Sequence, residues 1–547
     1  MSFSRPSSLI SHRFFAKWRL PLALLLIAAV TAIVYRPVLL NGFIDFDDDV
    51  YVTINRTVRQ GVTLNGFIWS FTTFYAANWH PLTWLSHMLD IQLFNLNPAG
   101  HHATSLLLHT LNSLLLCTVL YRLTGFIGRS LFVALLFALH PLHVESVAWI
   151  AERKDVLSTL FWLLTIWAYT GYTKKPSLRR YVPVAVFFIL GLMAKQMLVT
   201  LPLTLLLIDF WPLKRMSLRR DGSNSDRTSI KQLVVEKSPL LALSAVASLI
   251  TIRAQESAGA VVHGDGQTAL FSAGNAVISY VKYLLLMLWP TDLALFYPFE
   301  ASGVTTINVA GAVILLAAIT ALVVTQRSKR PYLLFGWFWY LITLLPVIGF
   351  IRIGSQALAD RYTYVPLTGL FVLIVWGGSE LADSWSMGKR LITAGAIVVT
   401  VILSLLTSSQ IRYWQTSYAL FDHALAVVER NWLAHNNMGI LLSQHNRNDE
   451  ALFHFKESVR INPKGGEGFR NLGNSLQMAG NNVGAIEAFR RAVWLNPNDA
   501  ESHFRLGYAY LLGGNNELAY QEYRQLLPLD AINARSLLDS IQARTKR

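Results

Sequence analysis

Apolar runs separated by short polar loops fill the first three quarters of the chain. Runs of spanning length, alone or paired with a neighbour, fall near 20–40, 103–121, 129–148, 156–172, 181–195, 197–212, 238–254, 271–289, 304–325, 331–350, 362–382 and 391–408. A helix needs about 20 apolar residues to cross a bilayer, so this pattern predicts a polytopic helical membrane domain over residues 1–408. A connecting segment, 409–431, follows. The pattern then changes to amphipathic units with a period of 34 residues. Asn437-Met438-Gly439, Asn471-Leu472-Gly473 and Arg505-Leu506-Gly507 are in register, as are Ala451, Ala485 and Ala519, and Phe455, Phe489 and Tyr523. Pro463 and Pro497 close the first two units. Small residues let paired helices approach and the aromatic fills the gap between them. The expected fold is all-α: a membrane helical domain, then a helical solenoid over 432–547 with three repeats and a capping helix.

Basic residues orient the spans. Arg122/Arg129, Lys174/Lys175/Arg179/Arg180, Lys214/Arg215/Arg219/Arg220, Arg327/Lys329/Arg330 and Lys389/Arg390 are each expected on the cytoplasmic side. They agree if 271–289, which carries Lys282 and ends in Trp289-Pro290, is an interfacial or re-entrant segment on the outer side. That leaves about eleven transmembrane helices, a cytoplasmic N-terminus and an outer C-terminus. A count of twelve would put the C-terminus in the cytoplasm. The first run follows a basic stretch, extends to Leu40 and has no small-residue cleavage site, so it reads as an uncleaved helix. The loop 213–237, with DGSNSDRTS, reads as flexible.

Composition agrees: 53% hydrophobic, 14% charged, mean hydropathy +0.39. The net charge of +15 does not point to nucleic acid. Residues 409–547 hold fifteen Lys and Arg against thirteen Asp and Glu, so the excess lies in the membrane half. The single cysteine, Cys117, precludes an intramolecular disulfide and leaves the redox compartment open.

Candidate chemistry clusters where loops are expected outside. FIDFDDDVYV, residues 43–52, carries Asp45, Asp47, Asp48 and Asp49. It lacks the glycine and terminal glutamate of a calcium loop, and reads as a general base, alone or with a metal. HPLHVESVAWIAERKDVLS, residues 140–158, supplies His140, His143, Glu145, Glu152, Arg153, Lys154 and Asp155. Pro141 interrupts the two histidines, which disfavours zinc. The basic pair reads equally as a phosphate clamp or as snorkelling side chains. Lys195 interrupts another apolar run, and Arg361 follows Asp360 at a further outer edge. WHPLTWLSHMLD, with His80, His87 and Asp90, reads as an amphipathic interfacial helix. Acid on one side and cations on the other suit transfer of a group from a phosphate leaving group.

FDDDVYV with Asn55, WHPLTWLSHMLD, GHHATSLLLHTLN, ALHPLHVESVAWIAERKDVLSTLFWLLT, LMAKQMLVTLP and ADRYTYVPL form an ordered series. On these motifs the chain resembles bacterial relatives of the transmembrane-and-TPR-containing O-mannosyltransferases, within the GT-C class of glycosyltransferases. The 34-residue units look like tetratricopeptide repeats, whose stacked concave face binds peptides or proteins. The resemblance implies a polyprenyl-phosphate-linked sugar donor and catalytic acids at Asp47 and Asp48. It implies donor-phosphate binding by Arg153, Lys154, Lys195 and Arg361, with Asp49, His80, His140, His143, Glu145 and Asp155 in support. No cofactor is required; a divalent metal (Mg or Mn) is compatible. The expected activity is transfer of a hexose, mannose among the candidates, to a hydroxyl of a protein or peptide acceptor held by the repeats. The expected location is the bacterial inner membrane, multi-pass, with the repeats outside. The competing reading is a non-enzymatic membrane scaffold that assembles an envelope complex through its repeats.

Overall fold

The computed structural model describes all residues except 1–6, 217–227, 258, 260–265, 351–353, 546 and 547. Arg219 and Arg220, of a basic cluster expected on the cytoplasmic side, and most of DGSNSDRTS lie outside the described residues. The chain is all-α in its organisation and forms two compact units. One comprises Met1–Leu293 with Phe299–Thr416; the other comprises Ala294–Pro298 with Ser417–Arg547.

Among the described residues, six helices of the first unit are each long and apolar enough to cross a membrane: Trp18–Leu40, Pro98–Thr124, Ile230–Ser257, Ala269–Leu288, Thr306–Gln326 and Gly388–Tyr413. The predicted span 129–148 is a broken pair, Ile127–Leu139 and Pro141–Ala148, bent by 57°. The break is at His140-Pro141, where the missing amide and the ring prevent the helix from continuing. Gln196–Phe210 and Pro331–Leu344 are shorter apolar helices. Gly266–Leu288 is one unbroken helix, long and apolar enough to cross a membrane, so of the two forms expected for 271–289 the straight interfacial helix agrees with it and the re-entrant turn does not.

Two expected loops are shorter than their composition suggested. Ile230–Ser257 begins seven residues before Lys237, because Ser229 and Gln232 cap it reciprocally. The Gln232 amide donates to Ser229 Oγ at 3.2 Å and the Ser229 amide to Gln232 Oε1 at 3.1 Å. The connecting segment 409–431 is mostly helical. Gly388–Tyr413 runs through its start, and Ser417–Val427 belongs to the second unit.

The helix Arg153–Lys174 is tied at both ends. At its start Arg153 meets Asp90 at 2.8 Å. Near its end the Tyr169 hydroxyl lies 2.8 Å from carboxylate oxygens of both Asp209 and Glu236. Arg215 pairs with Asp209 at 2.8 Å and with Glu236 at 2.7 Å, and Lys237 pairs with both acids. Two acids and two bases cancel there, the condition for keeping ions out of water. The sequence reading did not single out this cluster.

In the second unit the helix pairs are Trp432–Gln444 with Asn448–Ile461, Gly466–Met478 with Asn482–Leu495, and Ala500–Leu512 with Asn516–Leu526, followed by Ala531–Thr545. Ala451, Ala485 and Ala519 are fully buried. A Cβ on Gly439 would lie 2.7 Å from the Phe455 ring, and one on Gly473 would lie 2.5 Å from the Phe489 ring. The third unit departs from this. Gly507 faces Leu537 of the last helix, with a Cβ-to-Cδ2 distance of 2.6 Å, rather than Tyr523.

Gly473→Ala is expected to lower the stability of the repeat unit by about 1–3 kcal/mol through overpacking. Thermal unfolding of the full chain, followed with limited proteolysis of the repeats, measures this. Phe489→Leu in the same chain should restore part of the loss.

Candidate active site

The acidic stretch folds into a tight turn. Asp47 adopts φ +65°, a left-handed conformation that aspartate tolerates better than most residues. The chain then widens over Asp49–Thr53, where the Ile54 amide reaches back to the Asp49 carbonyl at 2.9 Å. The four carboxylates separate accordingly. Asp45 is exposed, Asp47 and Asp49 are half-buried, and Asp48 is fully enclosed.

Asp48 accepts from two backbone amides, Ile44 at 2.9 Å and Ala151 at 2.8 Å. Burial pushes its carboxyl up to about 8, against the pull of these donors. Alongside, Trp149 Nε1 donates to the Phe46 carbonyl at 2.9 Å and the two rings stack at 5.3 Å. These contacts fasten the acidic turn to the segment before Arg153. The catalytic assignment of Asp48 is therefore corrected: both oxygens are engaged and no surface remains for an acceptor. Asp47 keeps an open face. Burial raises its carboxyl above the ordinary range, Lys154 and Arg361 pull it back, and Glu152 and Asp49 add to the rise.

The cations gather around Glu152. Its carboxylate lies 2.6 Å from Lys195, 3.0 Å from Lys154 and 3.9 Å from Arg361. Burial opposes its charge, yet these cations hold it well below the usual carboxylate range. Lys195 also meets Asp155 at 2.6 Å, and Asp155 accepts from Ser146 at 3.0 Å. Arg361 meets Glu145 at 2.5 Å through Nη1, while its amide donates to the same carboxylate at 2.8 Å. Its guanidinium lies 5.4 Å from the Trp149 ring centre. Lys154, Lys195 and Arg361 are 14%, 12% and 15% exposed, so each keeps some surface beside its acid.

Arg153 is different, and its assignment to the donor phosphate is corrected. It is fully buried. Nε donates to Ser105 at 2.8 Å, Nη1 to Ser86 at 3.0 Å, and Nη2 to the His101 carbonyl at 2.6 Å, besides the Asp90 ion pair. His80 and the inner face of Pro81–Phe94, with His87 and Asp90, are buried, while Leu89, Leu93 and Phe94 on its other face are exposed, so the helix turns its polar residues inward and an apolar edge outward. His140 and His143 do not join the acids. His140 Nε2 contacts the Met287 carbonyl at 3.0 Å, and His143 Nδ1 contacts the Phe137 carbonyl at 2.7 Å among the rings of Phe137, Tyr364 and Phe371. Among the described residues no group of three or more His, Cys, Asp or Glu side chains could hold a metal ion. Glu152 and Trp149 are the members that the sequence reading undervalued. Both lie in the HPLHVESVAWIAERKDVLS motif, but an acid two positions from a lysine gives no sign that three cations will converge on it.

Residues 88–222 match the family described as dolichyl-phosphate-mannose-protein mannosyltransferase, and residues 470–534 match a tetratricopeptide repeat family. The first match includes Glu152, Lys154 and Lys195 but neither Asp47 nor Arg361. Protein O-mannosyl-transferase TMTC1 of Homo sapiens is 25% identical over 508 residues, covering 82% of this chain and 56% of its own length. Protein O-mannosyl-transferase TMTC4 of Mus musculus is 26% identical over 482 residues, covering 76% and 63%. The chain thus spans a little over half to about three fifths of the length of these relatives. Among solved structures, a crystal structure of MamA is 17% identical over 24% of this chain and 87% of its own, with a TM-score of 0.21.

Asp48→Asn is expected to cost about 1–3 kcal/mol, because an amide side chain leaves one of the two backbone donors unmet. Arg153→Leu should cost about 3–5 kcal/mol by stranding Asp90. Melting of the purified protein checks both. The raised Asp48 carboxyl means the folded chain holds that proton more tightly than the unfolded chain. Its stabilisation is complete below the ordinary value of 3.8 and is lost as pH rises through about 8. The melting temperature should fall across that window, and Asp48→Asn should flatten the fall.

Proposed function

We propose that this chain, a distant relative of the protein O-mannosyl-transferases, is a multi-pass membrane glycosyltransferase. It moves a hexose, mannose by analogy with the relatives' names, from polyprenyl phosphate to a hydroxyl of a polypeptide. One observation carries the reading. The half-buried Asp47 sits in the field of Lys154 and Arg361, in a turn fastened to the segment that leads into Lys154. A base for the acceptor and cations for the departing phosphate therefore share one site.

In this reaction the acceptor oxygen attacks the anomeric carbon and gives its proton to Asp47. The bond from that carbon to the phosphate oxygen breaks, the configuration inverts, and polyprenyl phosphate leaves with the electron pair. Lys154 and Arg361, held by Glu152 and Glu145, offset the charge that develops on it. Their acid partners prevent mutual repulsion before the donor arrives. No step calls on a metal. The repeats recruit or orient the acceptor, and the site and repeats face outward from a bacterial inner membrane, with the N-terminus in the cytoplasm.

Purified chain incubated with polyprenyl-phosphate hexoses and Ser- and Thr-containing peptides should yield glycosylated peptide by mass spectrometry. Asp47→Asn should lower the rate by about 100- to 10,000-fold, the range for losing a general base, without the melting loss expected of Asp48→Asn. Asp47 must be ionised to act, so the rate should rise with pH, with its midpoint above the ordinary carboxylate range. Full transfer by Asp47→Asn would sink Asp47 as the base, and no transfer by the parent chain from any of these donors would leave the scaffold reading in possession. A reporter fused after Arg547 should be active outside the cytoplasm; activity restricted to the cytoplasm overturns the orientation.

A further inference from the structure

The helix Leu64–Thr72 has the wrong side outward for a soluble fold. Thr63 caps it, its Oγ1 accepting from the Gly66 amide at 3.0 Å. Gly66 and Ser70 are the buried side. They allow a close approach to Pro81–Phe94: a Cβ on Gly66 would lie 3.1 Å from Met88 Sδ, and Trp69 packs on Trp84 at 5.2 Å. The large aliphatic and aromatic residues point the other way. Leu64, Phe67 and Ile68 are 75%, 47% and 52% exposed. Their spacing of three and four positions puts them on one stripe. Phe71, one turn beyond Phe67, packs against it at 4.9 Å. Asn65 and Thr72 are exposed and fall together along one edge of the stripe.

In a water-soluble protein such a stripe faces the core. Where this helix is tethered says what covers it here. Residues 41–97 join the ends of two helices long and apolar enough to cross a membrane, Trp18–Leu40 and Pro98–Thr124. Just past the helix, the Ala77 carbonyl accepts from Gln255 Nε2 at 2.8 Å, and Gln255 is near the end of a third such helix, Ile230–Ser257. The stripe is therefore held where crossing segments end. Arg56 and Arg59, just before it, are exposed. No acid occurs from Val50 to Leu89. Apolar and aromatic side chains beside unopposed cations match a surface with acyl chains below and anionic headgroups above.

We propose that Leu64–Thr72 lies in the lipid–water interface, with Leu64, Phe67 and Ile68 among acyl chains and Arg56 and Arg59 against anionic headgroups. The interfacial role expected of WHPLTWLSHMLD passes to the helix before it. Trp84, on which Trp69 rests, stacks on Tyr51 of the acidic turn at 4.8 Å. The depth of the helix thereby sets the depth of that turn, at the level of lipid phosphates. The inference needs only a membrane-spanning chain and holds whether or not the chain transfers a sugar.

The test is spin labelling of the full chain, in a Cys117→Ala background, within nanodiscs of phosphatidylcholine and phosphatidylglycerol free of polyprenyl phosphate. Leu64→Cys, Phe67→Cys and Ile68→Cys probe the stripe; Asn65→Cys and Thr72→Cys probe its edge. Collisions of each label are measured with oxygen, which concentrates in lipid, and with a nickel chelate, which stays in water. Interfacial helices sit about 5–10 Å into the headgroup and acyl boundary, so the oxygen-to-nickel ratio on the stripe should exceed that on its edge several-fold. Equal ratios overturn the proposal. So does shielding of the stripe from both reagents, the mark of a second copy or another protein cover. A high ratio that appears only after polyprenyl phosphate is added overturns it as well. If one stripe variant is not recovered folded, the other two carry the test. Exchanging phosphatidylglycerol for phosphatidylcholine should lower the ratio at Ile68→Cys, and adding Arg56→Gln with Arg59→Gln should abolish that dependence. A parent indifferent to the exchange overturns the pairing with headgroups.

Discussion

Two backbone amides converge on the carboxylate of Asp48, and the candidate site depends on that junction. Ile44 belongs to the strand of chain leaving the first helix; Ala151 belongs to the turn entering the helix Arg153–Lys174. A hundred residues separate them in sequence. The carboxylate is spent on joining them, so it has nothing left for chemistry. Its neighbour Asp47, forced into a left-handed conformation by the same turn, is left with the open face. A cluster of like charges has thus divided its labour: one acid builds the site and another is presented by it.

The cation side follows a related rule. Charges removed from water need partners, and Lys154, Lys195 and Arg361 find them in Glu145, Glu152 and Asp155. Partnering does not remove their value for a phosphate, since each remains partly exposed. It does set the terms of the proposed reaction: a donor phosphate would join a mesh of alternating charges rather than enter a bare positive pocket. Arg153, adjacent in sequence to Lys154, shows the opposite outcome. With every nitrogen engaged and no exposed surface, it anchors a helix.

Much of the architecture was legible in the residues. The 34-residue register named the glycines and alanines that pack in the repeats, and the His140-Pro141 break matched the bend in its span. The third repeat was less legible, because Gly507 takes its neighbour from the following helix, which lies outside the repeat's own register. At the candidate site, residue type and proximity singled out segments that the fold brings together: the acidic turn, the HPLHVESVAWIAERKDVLS motif, Lys195 and Arg361. They could not rank Asp47 above Asp48, or Lys154 above Arg153. That ranking depends on which side chain faces a backbone amide or a buried acid, and this is decided by contacts about a hundred residues apart. His80 and His87 show the same limit: an amphipathic helix was legible, but not that its histidines would be the buried side, packed against the Tyr51 ring.

The helix Arg153–Lys174 carries ionic fastenings at both ends, one through Arg153 and Asp90, the other through the four charges around Tyr169. Sliding it along its axis or turning it by a quarter would strand buried charge at two places together. It is a strut and cannot serve as a lever. Whatever rearrangement accompanies substrate exchange must be taken up elsewhere, by the acidic turn, by the segment carrying Arg361, or by helices without such clamps, while Lys154 stays fixed in space as the point from which those movements are measured.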